Sequence, residues 1–138
     1  MISTKGRYAL RVLIDLAQVG AESPVPLKDI AQRQEISEKY LQHIAKLLVD
    51  KGLLVGTSGK GGGYLMARKP EECTVADVLE ATEGTLAPVA CLTCNAAECN
   101  RSDTCKTLPM WKQFDELTRT YFSSITIADL ADGLDAPK

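Results

Sequence analysis

The chain has 138 residues, 45% of them hydrophobic and 25% charged, with a formal net charge of −2. That is the size and balance of a small globular protein with one continuous core, and no apolar run reaches the ~18 residues of a membrane-spanning helix. The small total hides two unlike halves. Residues 1–69 carry eleven Lys/Arg against six Asp/Glu, a balance of +5, and residues 70–138 carry five against twelve, a balance of −7. A basic front half suits a polyanion such as DNA, and an acidic back half does not.

The opening "MISTKGRYALRVLIDLAQVG" is not expected to be a signal peptide, because Arg11 and Asp15 interrupt its apolar body and no small-residue cleavage site follows. A cytoplasmic protein without membrane contact is expected. There, clustered cysteines are more often metal ligands or redox sensors than structural disulfides.

In chain order, Tyr8, Ala9, Val12, Leu13, Leu16 and Ala17 lie on one face of a helix over residues 5–19, with Ser3 or Thr4 to cap it and Gly20 to end it. "AESPVP" reads as a loop and "LKDIAQRQ" as a short helix with Ile30 and Ala31 inward. "EIS" turns the chain, and Ser37 is a good N-cap for a longer helix over 38–51 whose inner face is Leu41, Ile44, Leu47 and Leu48. Gly52 stops it. "LLVGTSGKGGGYLMAR" is a β-hairpin signal with a glycine-rich tip. Thr74 caps a further helix over 74–82, with Val75, Val78 and Leu79 inward. Residues 84–105 show little periodicity. From Leu108 a helix resumes through Trp111, Phe114, Leu117 and Tyr121, and Pro109 fits its first turn. The tail "ITIADLADGLDAPK" adds one short helix and then frays.

This order of helix, short helix, turn, longer helix and hairpin is that of a mainly α, winged helix-turn-helix fold. Only a helix or a two-stranded ribbon fits the DNA major groove, so one helix must stand out from the core. Helix 38–51 turns Glu38, Lys39, Gln42, His43 and Lys46 outward. The candidate DNA contacts are Ser37, Lys39, Tyr40, Gln42, His43 and Lys46 on and before this helix, Ser58 and Lys60 on the hairpin tip, and Arg7, Arg11 and Lys28 on the flanking backbone. Gln42 suits a base edge, and Lys39 and Lys46 suit phosphates or guanine. "GKGGGY" lacks the spacing of a phosphate loop and no helix follows it, which argues against nucleotide binding. No Ser/His/Asp set, His-paired cysteine or paired carboxylates appear, so no enzyme is expected.

Four of the five cysteines, Cys91, Cys94, Cys99 and Cys105, fall in "CLTCNAAECNRSDTC" with spacing C-x2-C-x4-C-x5-C. Thiolates are soft ligands for iron–sulfur clusters and for zinc, and a loop lets several sulfurs converge. Spacing alone leaves those two readings level, with metal-free thiols behind. Cys73, beside the fourth helix, reads as a small buried residue, and His43 as a surface or DNA-contact residue rather than a ligand.

"STKGRYALRVLIDLA", "VPLKDIAQRQEISEKYLQHIAKLL", "GKGGGYLMA" and "TVADVLEATEG" resemble the winged-helix regulators of the IscR/NsrR/CymR type, also called Rrf-type, and the likeness runs through the cysteine loop to Trp111 and Phe114. The resemblance implies a homodimer in which the long C-terminal helix crosses its partner's, with Trp111, Phe114, Leu117 and Tyr121 at the interface, and recognition helices that enter successive major grooves of double-stranded DNA. It departs at Ser58, where several members place an arginine before the first wing glycine. Cluster-binding members carry three cysteines here, and Cys94-x4-Cys99-x5-Cys105 looks like the nitric-oxide-sensing branch, with Cys91 as an alternative first ligand. A fourth ligand used by one branch falls on Leu108 and that of another on Tyr8, so neither is present, and Cys91 becomes the candidate. Members without these cysteines respond through a partner protein.

The expected organisation is a DNA-binding domain over 1–83, a cysteine-rich cluster-binding loop over 84–106, and a dimerisation helix with its tail over 107–138. The expected function is a transcriptional regulator, in the first instance a repressor, whose DNA affinity is modulated by an iron–sulfur cluster (2Fe-2S or 4Fe-4S) sensing redox, nitric oxide or iron–sulfur status. The alternatives are a zinc- or thiol-based regulator, the latter without a cofactor, and one acting through a partner protein.

Overall fold

The computed structural model describes residues 2–93, 101 and 103–134. Helix α1 spans Thr4–Val19 and buries Ala9, Val12, Leu13 and Leu16. Ser3 caps it by accepting the N–H of Gly6, and Gly20 closes it at φ 61°, the left-handed conformation that glycine adopts without a Cβ clash. Glu83 accepts from the N–H and the hydroxyl of Ser3 at 3.0 and 2.6 Å. The start of α1 is thereby pinned to the end of a helix 80 residues later. Gly6 makes that crossing possible: a Cβ there would meet Glu83 Oε1 at 2.5 Å.

Helices α2 (Leu27–Gln34) and α3 (Glu38–Asp50) form the helix-turn-helix. The turn passes through Glu35 at φ 54°, and the N–H of Ile36 reaches back to the Ala31 carbonyl at 3.1 Å, which satisfies a carbonyl at the end of α2. Ser37 caps α3 by accepting the N–H of Tyr40. Asp15 on α1 is only 3% exposed, and it is paired. Arg33 grips it with Nη2 to Oδ1 at 2.7 Å, and Gln34 donates to Oδ2 at 3.0 Å. A buried carboxylate needs such partners to offset its desolvation. The same hydrogen bond holds the Arg33 guanidinium above its ordinary pKa.

The wing pairs β1 (Leu54–Thr57) with β2 (Gly63–Met66) in antiparallel register, Leu54 opposite Met66 and Thr57 opposite Gly63. The "AESPVP" segment is more than a loop. Val25 and Tyr64 exchange both backbone hydrogen bonds, at 3.0 and 2.8 Å, so Val25 adds a one-residue third strand beside β2. A one-residue pairing has no alternation, which is why the pattern of side chains did not reveal it.

Helix α4 (Val75–Glu83) starts with a reciprocal capping box between Thr74 and Asp77. Helix α5 (Leu108–Ser123) begins with Pro109 in its first turn and contains no buried residue. Helix α6 (Ile127–Asp132) has its own capping box, Thr126 with Asp129. It does not simply trail away. Thr74 bridges to Thr126, Ile127 donates to the Cys73 carbonyl at 2.8 Å, and Ile127 is fully buried. The main core joins α1, α2, α3 and the wing base to Cys73, Val78 and Ile127. Ile127, in the tail that follows α5, thus packs into the same core as α1 and α3. A second cluster holds Val75, Ala76, Leu79, Leu86 and Ile125, with Phe122 of α5 resting on it.

Candidate functional site

Helix α3 divides sharply. Leu41, Ile44, Ala45 and Leu48 are fully buried, whereas Lys39, Gln42, His43 and Lys46 are exposed on the opposite side and Tyr40 is 37% exposed. The buried stripe fixes the helix against α1, α2 and α4, and the outer face is left to solvent. Ser37 is exposed too, but its oxygen already accepts the Tyr40 N–H at 3.3 Å. Its hydroxyl proton remains available to an acceptor outside the chain.

A groove runs between α3 and the wing. Lys28, Glu38, Lys46, Thr57, Ser58 and Gly62 are among the residues that line it. The structure thus brings Lys28, Lys46 and Ser58 together from three elements. Lys60 stands exposed at the tip of the wing and does not line that groove. Arg7 is exposed on α1 and donates to Thr4 Oγ1 at 3.2 Å.

Arg11 is occupied within the fold rather than turned to the flanking backbone. Its Nε donates to Gln34 Oε1 at 3.1 Å, its Nη2 donates to the Gln34 carbonyl, and the guanidinium lies 5.3 Å over the Tyr8 ring. Tyr8 in turn meets Tyr40 edge to face, ring centroids 5.6 Å apart at 90°. Arg11 and Tyr8 are neighbours three residues apart on one helix, but the Arg11–Gln34 and Tyr8–Tyr40 contacts have no signal in sequence spacing, because their partners are separated by more than twenty residues.

Of the loop cysteines, Cys91 and Cys105 are described and are free thiols, while Cys94 and Cys99 lie outside the described residues. Cys91 is exposed. Cys105 sits just before α5, its Sγ 3.5 Å from Thr107 Oγ1. Hydrogen bonds from the Thr107 hydroxyl, the Thr107 and Leu108 backbone and the charge of Arg101 lower its pKa, with the Thr107 side chain contributing most. A thiol with a lowered pKa next to a helix start is a fitting soft-metal ligand. Among the described residues no three Cys, His, Asp or Glu side chains converge. Leu108 is the first residue of α5, and Tyr8 is committed to Tyr40 and Arg11. Cys73 is the opposite case: it is 1% exposed, and burial, aided by the Asp77 carboxylate, pushes its thiol up to about 11.

Helix α5 shows a third surface. Phe114, Leu117 and Tyr121 are 51%, 69% and 53% exposed, with Met110 at 52% beside them. Trp111 is half-buried and packs edge to face on Phe114, centroids 6.4 Å apart. The helix is tied to α4 through Arg119, which bridges Glu80 at 3.2 Å and Asp115 at 3.1 Å.

A helix-turn-helix with an exposed polar second helix, followed at once by a two-stranded hairpin, defines a winged-helix protein of the class that reads DNA. Residues 2–133 match the Rrf2 family, described as iron-dependent transcriptional regulators. Protein rrf2 of Nitratidesulfovibrio vulgaris is 40% identical over 129 residues, covering 94% of this chain and 85% of that protein. The HTH-type transcriptional regulator IscR of Serratia proteamaculans is 35% identical over 134 residues, covering 97% and 80%. Among solved structures, CymR, the global cysteine regulator of B. subtilis, superposes with a TM-score of 0.77 at 32% identity over 98% of each chain. IscR of T. potens superposes with a TM-score of 0.73 at 31% identity, over 100% of this chain and 93% of that one. The chain belongs to the Rrf2 family, and it is a transcriptional regulator rather than an enzyme.

Proposed function

We propose that the protein binds double-stranded DNA as a homodimer and acts as a repressor whose DNA affinity depends on an iron–sulfur cluster held by the 91–105 loop. The observation that carries the reading is α3: four fully buried residues anchor one face while Lys39, Gln42, His43 and Lys46 are presented on the other. In this reading Gln42 and His43 read base edges, Lys39 and Lys46 meet phosphates or guanine, and Tyr40 packs beside them. Lys28, Ser37, Ser58, Lys60 and Arg7 hold the sugar-phosphate backbone on either side. Exposed Phe114, Leu117 and Tyr121, with Trp111, support a dimer interface along α5. A helix of 16 residues without one buried side chain is marginal in water unless something covers it.

Cys94, Cys99 and Cys105 would hold the cluster, with Cys91 as fourth ligand. When bound, such a cluster supplies a centre whose charge and integrity respond to oxidants, nitric oxide and iron supply. The chain's own part is to lower the pKa of Cys105 at the head of α5, so that the state of the loop bears directly on the dimer helix. The family is described as iron-dependent, one solved neighbour is titled a global cysteine regulator, and the lowered Cys105 pKa would serve a thiol-based sensor as well. A partner protein is the route that remains for a cysteine-independent signal.

Anaerobically purified protein should be brown and contain iron and acid-labile sulfide. It should retain one duplex from a randomised pool, with a different affinity after the iron is removed. Colourless protein after reconstitution with iron and sulfide would exclude the cluster, and bound zinc would then replace it. Failure to enrich any duplex would exclude α3 as a DNA-reading helix.

A further inference from the structure

Tyr8 lies on α1, outside the helix-turn-helix, yet it meets α3 directly through Tyr40 and is linked to the end of α2 through Arg11. Its ring edge-packs against Tyr40 in the first turn of α3, with centroids 5.6 Å apart at 90°. Its face carries the Arg11 guanidinium at 5.3 Å. Arg11 donates to the side chain and the carbonyl of Gln34, the last residue of α2. Gln34 donates to Asp15 at 3.0 Å, and Asp15 holds Arg33. A continuous side-chain chain therefore runs from α3 through α1 to the end of α2, around the turn at Glu35. Its base is fixed as well, since Ser3 at the head of α1 is bound by Glu83 through two hydrogen bonds.

The buried stripe of α3 holds that helix along its length, but its first buried residue is Leu41. The turn before it, Glu38 to Tyr40, has no buried side chain of its own. Among the described side chains, Tyr40 and the Ser37 cap tie that turn down. A shift there would displace Lys39, Gln42 and His43, the residues that must meet base edges within hydrogen-bonding distance.

We propose that Tyr8 is a positioning residue for DNA recognition: through Tyr40 on one side and Arg11 on the other it sets the first turn of α3, and with it the base-pair preference of the protein. The inference rests on α3 as the DNA-reading helix. Tyr8 itself contacts no base. Its ring is what matters, and its hydroxyl is dispensable.

The test compares wild type, Tyr8→Phe and Tyr8→Leu in selection from a randomised DNA duplex pool, followed by titration of the selected duplex at several salt concentrations. Tyr8→Leu keeps apolar bulk against the core, so folding survives while the edge-to-face and cation–π contacts are lost. Tyr8→Phe should select the wild-type sequence with unchanged affinity. Tyr8→Leu should bind that sequence roughly three- to ten-fold more weakly, the range expected for loss of an aromatic pair. It should also relax preference at the base pairs facing the first turn of α3. Its salt dependence should match wild type, because no cation that meets a phosphate has been removed. Unchanged selection by Tyr8→Leu would overturn the proposal, as would equal damage from Tyr8→Phe, which would make the hydroxyl a direct contact. Wild-type protein that enriches no sequence would sink the DNA-reading assignment of α3 and this inference with it.

Discussion

At the scale of single residues, side chains of one type serve opposite ends. Cys73 is sealed between α4 and α6, and its thiol is held neutral, up to about 11 from an ordinary 9.0. The sign of its effect on stability follows. Between those two values the folded protein keeps a proton that the unfolded chain has released, so stability is full below pH 9 and falls as pH rises through the window, by about 2–3 kcal/mol in all. Urea unfolding at pH 8 and at pH 11 should show that loss in wild type and a much smaller one in Cys73→Ala. On α3, Lys46→Ala should weaken DNA binding evenly across sequences and lower the salt slope by about one unit, whereas Gln42→Ala should cost about 1–3 kcal/mol at particular base pairs only. Gel-shift titrations on matched and single-substituted duplexes separate the two. Cys73 was legible as a small buried residue because it adjoins an amphipathic helix. The occupation of Arg11 was not, since an arginine on a basic helix reads the same whether it faces a phosphate or Gln34.

At the scale of elements, the hydrophobic period located α1 to α5 to within a residue or two, because each carries a regular apolar stripe, which α1 to α4 bury in the two core clusters. The wing was legible from its glycines, but its anchoring was not. Gly63 has φ 154° and passes so close to Val25 that a Cβ would fall on the Val25 carbonyl. Gly63→Ala should therefore break the Val25–Tyr64 rung and destabilise the protein by about 2–4 kcal/mol, through backbone strain and overpacking together. Chemical denaturation measures the cost, and the loss of slow amide exchange at Val25 and Tyr64 locates it. Helix α5 is the converse case, a stripe with no internal partner. Phe114 is 51% exposed in the protomer, so Phe114→Asp should leave folding and the circular dichroism spectrum intact. Sedimentation should nonetheless show a monomer, because the carboxylate would be buried unpaired in the interface. A tight dimer of that variant would mean that α5 is covered in some other way.

At the scale of the whole molecule, charge and sulfur are segregated. The basic balance of residues 1–69 accompanies the helix-turn-helix and wing, and the acidic balance of 70–138 accompanies α5, α6 and the cysteine loop. DNA should therefore approach the helix-turn-helix and wing. Ser3 and Glu83 join the two halves of the chain, because Glu83 ends α4 just before the loop and Ser3 heads α1. Cys94→Ala, Cys99→Ala and Cys105→Ala should each abolish the brown colour and the bound iron of anaerobic protein. Cys73→Ala should leave both unchanged. Cys91→Ala should shift the spectrum or make the colour labile to oxygen, as expected for the fourth ligand. Absorption spectra with iron and sulfide assays decide each case.

The sequence by itself determined the elements, their order and their chemical poles. Periodicity, caps and turn glycines are local properties, and a winged helix is recognisable from them in succession. Tertiary structure alone decided which polar groups were left for function. It withdrew Arg11 into a brace with Gln34 and Tyr8, drew the polar tail into the core through Ile127, and gave Val25 a place in the wing. It also left the apolar side of α5 uncovered. Each outcome depends on residues distant in the chain meeting at contact range, and the free energy of such a meeting is set by burial and pairing in three dimensions, which no window of neighbouring residues contains.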